Sequence, residues 1–322
     1  MMRHTLRAAL ALAAIGITVA PAAAQYAPAI TVAEADASGT RVTINGLPGN
    51  WYAATGDGTH PAILMLGGSE GGLTKGSDSE ARALRDRGYN VLYQSYYRTS
   101  EDNADFSMVP LETFDEALDW IKRQPGVDPE RIGIIGGSKG AEAALLTASR
   151  HPEIKAVVAG MPSNAVWAGF SFNMKPGVDY KSSWSLDGAP YPFVPYGAYT
   201  PGDPMVTMYA NGLAAIDQYA GAVIPVEKIA GPVLLICGEA DTLWPSCPMA
   251  RSVSARAEAM DGPAVTILAY DTAGHAVFGK PLPADADLSR LTYFGGTGEG
   301  NNAARADSMA KTEAFLDDVL KD

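Results

Sequence analysis

The pentapeptide Gly-Gly-Ser-Lys-Gly at residues 136–140 constrains the fold more than any other stretch of this chain. It follows an apolar run at residues 132–135, which is typical of a buried strand, and precedes a strongly helix-forming segment at residues 141–149. A strand, a G-x-S-x-G turn and a helix together form the context of a nucleophile elbow, in which the serine projects from a sharp turn. An ordinary glycine-rich turn is the alternative, because the chain contains 34 glycines. The flanking pattern favours the elbow.

From residue 61 onward, apolar runs alternate with helix-forming segments. Uninterrupted apolar runs predict strands buried on both faces, and repeated strand–helix units imply a mostly parallel sheet with right-handed crossovers. We therefore predict an α/β domain over residues 61–322, with helices on both faces of the central sheet. The predicted strands cover residues 62–66, 90–96, 132–135, 154–159, 232–236 and 264–270, and the predicted helices cover residues 79–87, 110–124, 141–150, 247–260 and 301–320.

Residues 1–24 have the three parts of a secretory signal peptide. Arg3 and Arg7 form a basic start, residues 8–20 form an apolar stretch, and an Ala-x-Ala site predicts cleavage after Ala24. The apolar stretch is shorter than the ~20 residues that a membrane-spanning helix needs, so cleavage is favoured over an uncleaved anchor. The expected location is therefore periplasmic or secreted.

Residues 25–60 are predicted to form an N-terminal extension with edge strands. Partial apolar/polar alternation at residues 29–33 and 40–44 predicts an antiparallel ribbon. Asparagine, glycine and proline predict turns at residues 45–46 and 48–50.

The chain carries 36 acidic and 24 basic residues, which gives a net charge of −12. Such an acidic chain is not expected to bind nucleic acid or an anionic membrane through a general electrostatic field. Beyond the signal peptide no apolar run reaches ~18 residues, so no membrane span is predicted. The motifs imply neither a metal nor a cofactor.

Only two cysteines are present, Cys237 and Cys247. In an exported protein they are candidates for a disulfide. The alternative is a pair of reduced cysteines packed near a strand end, because sequence spacing does not reveal the geometry of the two side chains.

Residues 164–222 interrupt the regular alternation with a stretch rich in aromatics, proline and glycine. A long irregular segment inside an α/β chain is usually a lid or a binding loop, so an apolar substrate-binding cap is favoured. The alternative is a structural insertion whose aromatic side chains form a satellite core. The candidate substrate-binding aromatics are Trp167, Phe170 and Trp184 within the insertion and Trp244 beyond it.

A reactive serine needs a base to take its proton. Of the four histidines, His4 belongs to the predicted signal peptide, His60 precedes the first buried strand, and His151 closes the helix after the elbow. His275 follows the last predicted strand, at the carboxyl edge of the sheet where the elbow also lies. His275 is therefore the candidate base, and the alternative is a solvated loop histidine.

The base in turn needs an orienting carboxylate, expected on the loop after the preceding strand. Asp241 lies beyond that strand and is the preferred acid. Glu239 is the competitor, but it is closer to the strand and should point back toward it, and Asp271 is a weaker competitor. The alternative for all three is a solvated loop acid.

Two backbone N–H groups are expected to hold the oxyanion of an acyl-transfer reaction. One belongs to Lys139, and the other to the glycine-rich loop at residues 67–72, where Ser69 is preferred and Glu70 is next. Glu70 is also a candidate substrate-binding residue. The alternatives for this loop are a tight turn and a phosphate-binding loop, but the G-x-x-x-x-G-K-[ST] motif is absent.

Four ordered motifs resemble the C-terminal catalytic domain of the acyl-CoA thioesterase and bile acid-CoA:amino acid N-acyltransferase family, a dienelactone-hydrolase-like branch of the α/β hydrolases. The resemblance implies an α/β-hydrolase fold, a Ser138–Asp241–His275 triad, and a small-molecule acyl ester or thioester as substrate. It covers about residues 60–320. The motifs are Leu-Gly-Gly-Ser-Glu-Gly-Gly at 66–72, Gly-Gly-Ser-Lys-Gly at 136–140, Gly-Glu-Ala-Asp-Thr-Leu-Trp-Pro-Ser at 238–246 and Ala-Gly-His at 273–275.

The chain departs from this family in two respects. Only residues 25–60 stand where the family has an N-terminal β-sandwich domain, and export would place the chain where coenzyme A is scarce. Transferase members use cysteine as the nucleophile, so a serine favours hydrolysis. Acyl transfer by the same triad and non-catalytic binding of a lipid-like ligand are the alternatives.

Overall fold

The computed structural model describes residues 34–97, 105–171 and 179–321. The predicted signal peptide at residues 1–24 and the strand predicted at 29–33 lie outside these ranges. Eight strands form one main sheet: β1 (Thr40–Ile44), β2 (Leu47–Tyr52), β3 (His60–Leu66), β4 (Asn90–Gln94), β7 (Val127–Gly137), β8 (Ile154–Gly160), β12 (Val233–Gly238) and β13 (Val265–Tyr270). The other short strands are β5 (Asp105–Phe106), β6 (Val109–Pro110), β9 (Phe170–Ser171), β10 (Trp184–Leu186) and β11 (Ala189–Pro190).

The strand order in the main sheet is β1-β2-β4-β3-β7-β8-β12-β13. Every pair from β4 to β13 is parallel, whereas β1 and β2 add an antiparallel edge. The apolar runs of β3, β4, β8 and β12 are buried as predicted, because helices cover both faces of the sheet, whereas β13 at the sheet edge is only partly buried. The helices are α1 (Lys75–Asp86), α2 (Glu112–Lys122), α3 (Lys139–Ala148), α4 (Val206–Leu213), α5 (Ser246–Ala259) and α6 (Gly298–Leu320), with 3-10 helices at Ile216–Ala222, Val226–Lys228 and Leu288–Leu291.

One turn prediction is wrong. Residues 48–50 lie inside β2, which pairs with β1 on one side and β4 on the other. The carbonyl of Pro48 accepts a hydrogen bond from the N–H of Ser95, so this proline contributes an acceptor to the pairing although it has no donor. The buried side chains of Asn50 and Tyr52 both donate to Asp78 of α1, at 2.6 and 2.7 Å. These contacts between distant segments outweigh the local turn propensity.

The described part of residues 164–222 is divided between a satellite core around Trp167 and the main core, which includes Trp184. Trp167 is fully buried, stacks on Tyr196 and meets Tyr209 edge-on, with ring centroids 6.1 and 4.9 Å apart. Trp184 is also fully buried, and its strand β10 pairs with β6. The aromatic content of this segment therefore supports packing, which was the structural alternative in the sequence analysis.

Cys237 and Cys247 form a disulfide. It joins the end of β12 to the first turn of α5 and spans the loop that contains Asp241. The loop is thereby fixed at both ends, next to the carboxyl edge of the sheet.

Candidate active site

Ser138 stands at the turn between β7 and α3 in a conformation that L-residues rarely adopt, with φ 54° and ψ −120°. The turn is possible because its flanking residues lack side chains. A Cβ at Gly136 would lie 2.0 Å from the carbonyl oxygen of Gly140, and a Cβ at Gly140 would lie 2.0 Å from that of Gly67. Both framing glycines of the motif are thus required, and they hold the serine above the sheet edge.

A chain of hydrogen bonds runs from this serine through His275 to Asp241. The Nε2 atom of His275 is 3.0 Å from Ser138 Oγ, and its Nδ1 atom is 2.8 Å from Asp241 Oδ2. Both His275 and Asp241 are buried. The three side chains come from the carboxyl ends of β7, β12 and β13, so the parallel sheet brings together residues up to 137 positions apart.

The Asp241 carboxylate receives three further hydrogen bonds. The N–H groups of Leu243 and Trp244 donate to Oδ1 at 2.9 and 3.2 Å, and the hydroxyl of Ser246 donates to Oδ2 at 2.8 Å. These donors fix the carboxylate in the orientation that meets the imidazole. The two acids that competed with Asp241 as partner of His275 have other environments. Glu239 forms an ion pair with Arg251, and Asp271 is exposed.

A strap at residues 294–296 locks the Asp241 and His275 loops together. Gly295 forms an isolated β-bridge with Asp241, and Gly296 forms one with Ala273. In addition, the carbonyl oxygen of Phe294 accepts a hydrogen bond from the N–H of His275 at 3.0 Å. The sequence analysis missed this strap and the serine at 246. A serine or glycine in a loop becomes informative only when its long-range contact is known.

The glycine-rich loop at residues 67–72 passes directly beside the nucleophile. A Cβ on Gly68 would lie 3.5 Å from Ser138 Cβ. The phenol of Tyr96 donates to the carbonyls of Gly67 and Gly68, so it fixes the path of the loop. Within the described residues, the backbone N–H groups of Ser69 and Lys139 donate to no protein acceptor.

Glu70 folds back onto its own loop. Its Oε1 atom accepts the N–H of Gly68 at 2.8 Å, and burial raises the pKa of its carboxyl. Glu70 also lines the cavity described below. Its most direct contact is thus with the loop backbone, which it helps to keep in position beside Ser138.

An open cavity of about 1060 Å³ lies over the serine. Its wall includes Ser69, Glu70, Ser138 and His275, together with apolar side chains such as Phe278. The four predicted substrate-binding aromatics do not line it. Trp167, Trp184 and Trp244 are fully buried in the hydrophobic clusters, and Phe170 stacks on Phe106.

The insertion contacts the elbow through a buried ion pair. Lys139 Nζ lies 2.9 Å from Glu142 Oε2, and both side chains are almost completely buried. Glu142 Oε1 accepts the indole N–H of Trp184 at 2.7 Å and the backbone N–H of Trp167 at 3.3 Å. Burial lowers the pKa of Lys139 and raises that of Glu142, and their mutual attraction opposes both shifts.

Across residues 34–97, 105–171 and 179–321, no group of three or more His, Cys, Asp or Glu side chains is arranged to hold a metal ion. Each helix within these ranges is too short or too polar to span a lipid bilayer.

Residues 109–322 match the model of a family described as BAAT / acyl-CoA thioester hydrolase C terminal. Acyl-coenzyme A thioesterase 6 of Homo sapiens is 26% identical over 273 residues, which cover 81% of this chain and 60% of that protein. Bile acid-CoA:amino acid N-acyltransferase of Mus musculus is 27% identical over 277 residues, which cover 83% and 62%. The chain thus spans about six tenths of the length of these curated relatives.

Solved structures are similar to this chain over most of its length. A Klebsiella pneumoniae protein assigned as a dienelactone hydrolase has a TM-score of 0.56 and 18% identity, and the match covers 86% of this chain and 97% of that one. The acylaminoacyl peptidase of Pyrococcus horikoshii has a TM-score of 0.52 and 14% identity, with 86% and 41% covered. At these identities the likeness establishes the fold, which is that of the α/β hydrolases.

Proposed function

This chain belongs to the BAAT / acyl-CoA thioester hydrolase C-terminal family, and from that membership we propose that it is a serine hydrolase of carboxylic esters or acyl thioesters. The observation that carries the proposal is the hydrogen-bonded chain from Ser138 through His275 to Asp241 on the wall of an open cavity. The seryl Oγ is within proton-transfer distance of an imidazole that a carboxylate already orients.

The reaction follows from these positions. Ser138 Oγ attacks the acyl carbonyl while His275 Nε2 takes its proton, and the N–H groups of Ser69 and Lys139 stabilise the oxyanion. His275 then protonates the departing alcohol or thiol, which leaves an acyl ester on Ser138. A water molecule, deprotonated by the same imidazole, releases the carboxylic acid and restores the serine. Asp241 stabilises the imidazolium in both halves.

A fluorophosphonate probe tests this proposal directly. Ser138 is expected to displace fluoride from the probe and to carry the phosphonyl adduct, while His275 takes the hydroxyl proton. The measurement is intact-mass analysis followed by peptide mapping. Ser252→Ala is a matched control at an exposed serine on α5 and should label fully. A protein that stays unlabelled at Ser138 would instead be a non-catalytic binding relative.

Acyl transfer is the second candidate, because one of the similar proteins is an N-acyltransferase. The cavity is open to solvent, and a second acceptor would have to compete there with water for the acyl-enzyme. Addition of an amino acid to the hydrolysis assay separates the two functions, since only a transferase would convert the acyl group into an amide.

Export to the periplasm or outside the cell is part of the same proposal. The basic start, apolar stretch and Ala-x-Ala site support it, and the Cys237–Cys247 disulfide is of a kind that persists in oxidising compartments. Expression of the full chain in a Gram-negative host should yield a periplasmic protein whose first residue is Gln25, as read by N-terminal sequencing. A cytoplasmic protein that retains residues 1–24 would contradict this.

A further inference from the structure

Tyr96 ties the glycine-rich loop at residues 67–72 to the neighbouring strand of the sheet. It lies just beyond β4, which pairs in parallel with β3, and the loop follows β3. The Tyr96 hydroxyl is 2.9 Å from the carbonyl oxygen of Gly67 and closer still to that of Gly68. Since a phenol has one hydrogen, the two carbonyls share a single donor. The Gly68 carbonyl also accepts the N–H of Gly71 at 3.0 Å, so its direction is fixed twice.

The direction of these carbonyls determines the direction of two N–H groups. A trans peptide group is planar, so its C=O and N–H bonds point in opposite directions. The N–H opposite the Gly67 carbonyl belongs to Gly68 and donates to Glu70 Oε1 at 2.8 Å. The N–H opposite the Gly68 carbonyl belongs to Ser69, a cavity-lining residue whose amide donates to no acceptor in the described part of the protein. One donor is thus used inside the loop, and the other points away from the phenol.

The phenol itself is held firmly. Tyr96 is 2% exposed. Its ring packs against three aromatic side chains, with centroid distances of 6.4, 5.4 and 5.9 Å to Phe106, Phe114 and Trp184. Burial raises the pKa of the Tyr96 hydroxyl well above its usual value, so the hydroxyl remains a donor across the pH range of a hydrolase assay. Through Trp184, the aromatic insertion therefore supports a donor to the loop.

We infer that Tyr96 is a positioning residue for the oxyanion hole: through the Gly68 carbonyl it aims the N–H of Ser69 at the oxygen of the acyl group that Ser138 attacks. The inference rests on the proposed function, because it concerns a negative charge that forms only during that attack. A donor that is already aimed stabilises this charge without reorganisation. Tyr96 does not line the cavity, so it acts on the reaction only through the loop.

Replacement of Tyr96 by phenylalanine removes the hydroxyl and keeps the ring. The kcat of ester hydrolysis should fall roughly 10- to 100-fold, which is part of the ~10²- to 10³-fold that loss of a whole oxyanion donor costs. KM should change by less than about threefold, since the bound ester does not yet carry the charge. The pH profile of kcat/KM should fall in height and keep its shape, because the hydroxyl contacts neither His275 nor Asp241.

An alkyl trifluoromethyl ketone probes the oxyanion directly. Ser138 Oγ adds to the ketone carbon, the carbonyl electron pair becomes the oxyanion, and the seryl proton passes to His275. The inhibition constant Ki should rise in Tyr96→Phe by the same factor by which kcat/KM falls. A purely structural role would instead reduce the number of active molecules and leave Ki unchanged.

Tyr93→Phe is the matched control. The Tyr93 hydroxyl donates to the Gly72 carbonyl at 3.2 Å, at the other end of the same loop, and the N–H opposite that carbonyl belongs to Leu73. The variant loses a buried bond from a phenol to a carbonyl without changing the peptide group of Ser69. It should keep kcat and Ki within about threefold of the wild type.

Thermal melting shows whether each variant is folded, and Phe114→Leu provides a second test if Tyr96→Phe is not. This change keeps the hydroxyl but removes a ring whose centroid is 5.4 Å from that of Tyr96. The phenol is then less firmly held, so kcat should fall and Ki should rise by roughly fivefold, with KM unchanged.

The outcomes separate this inference from the proposed function. Ser138-dependent hydrolysis in which Tyr96→Phe, or Phe114→Leu in its place, leaves Ki unchanged would overturn the positioning role and leave the hydrolase intact. Equal losses in Tyr96→Phe and Tyr93→Phe would also overturn it, because they would indicate general loosening of the loop. Absence of any Ser138-dependent hydrolysis by the wild type would remove the proposed function, and the role of Tyr96 with it.

Discussion

Replacement of Ser138 by alanine should lower kcat by roughly 10⁵- to 10⁶-fold, to the residual rate that binding and oxyanion contacts alone provide. The reason is geometric. His275 Nε2 is 3.0 Å from the seryl Oγ, and no other described hydroxyl is hydrogen-bonded to this imidazole. Ester hydrolysis is measured under saturating substrate, with thermal melting as the check that the variant is folded.

The control for this variant must change a serine in the cavity wall without touching the nucleophile. Ser79→Ala meets that need, because Ser79 lines the same cavity and lies on α1. It should retain activity within a few-fold of the wild type. A Ser138→Ala variant with more than about a hundredth of the wild-type kcat would contradict nucleophilic catalysis by this residue.

Replacement of Asp241 by asparagine should lower kcat by roughly 10⁴-fold. The carboxylate accepts from His275 Nδ1 at 2.8 Å, and this contact both selects the tautomer with a free Nε2 and stabilises the imidazolium that forms. An amide in its place can present an N–H to Nδ1, which would put the imidazole proton on Nε2, where it cannot accept from Ser138. The measurement is kcat as a function of pH.

Glu239→Gln is the matched control, because it removes the competing carboxylate of the same loop. Glu239 pairs with Arg251 at the surface, so this change should leave kcat within about twofold, in line with other surface substitutions. The assignment of Asp241 would fail if the two variants lost activity to a similar extent.

The strand–helix alternation and the framing glycines were sufficient to predict the sheet and the position of Ser138. His275 and Asp241 followed from chain order, because loops after parallel strands meet at one edge of a sheet. The structure brings these three side chains together as the sequence analysis expected. The helix α1 begins earlier than predicted, at Lys75, because Thr74 caps it through the N–H of Ser77.

The aromatic insertion at residues 164–222 is the region whose role the sequence did not predict, because its candidate substrate-binding aromatics do not line the cavity. Its composition indicated apolar contact surface but not which surface it would contact. Trp184 donates to Glu142 and packs against Phe114 in the main hydrophobic core, and it does not line the cavity. Much of the cavity wall instead comes from the β3–α1 loop and from the segment before α6, where Phe278 and Phe294 are isolated aromatics that the sequence analysis did not single out. Which surface a side chain contacts depends on packing between distant segments, and local composition does not determine that packing.

The Lys139–Glu142 pair has a consequence for protein engineering. Glu142 satisfies a lysine that immediately follows the nucleophile, and the indole and amide that it binds both belong to the insertion. Exchange of residues 164–222 for the corresponding segment of another hydrolase would remove those two donors and leave a buried charge with fewer partners next to the reactive serine. A successful exchange would therefore have to include residues 139 and 142, so the unit to exchange is the insertion together with the first turn of α3.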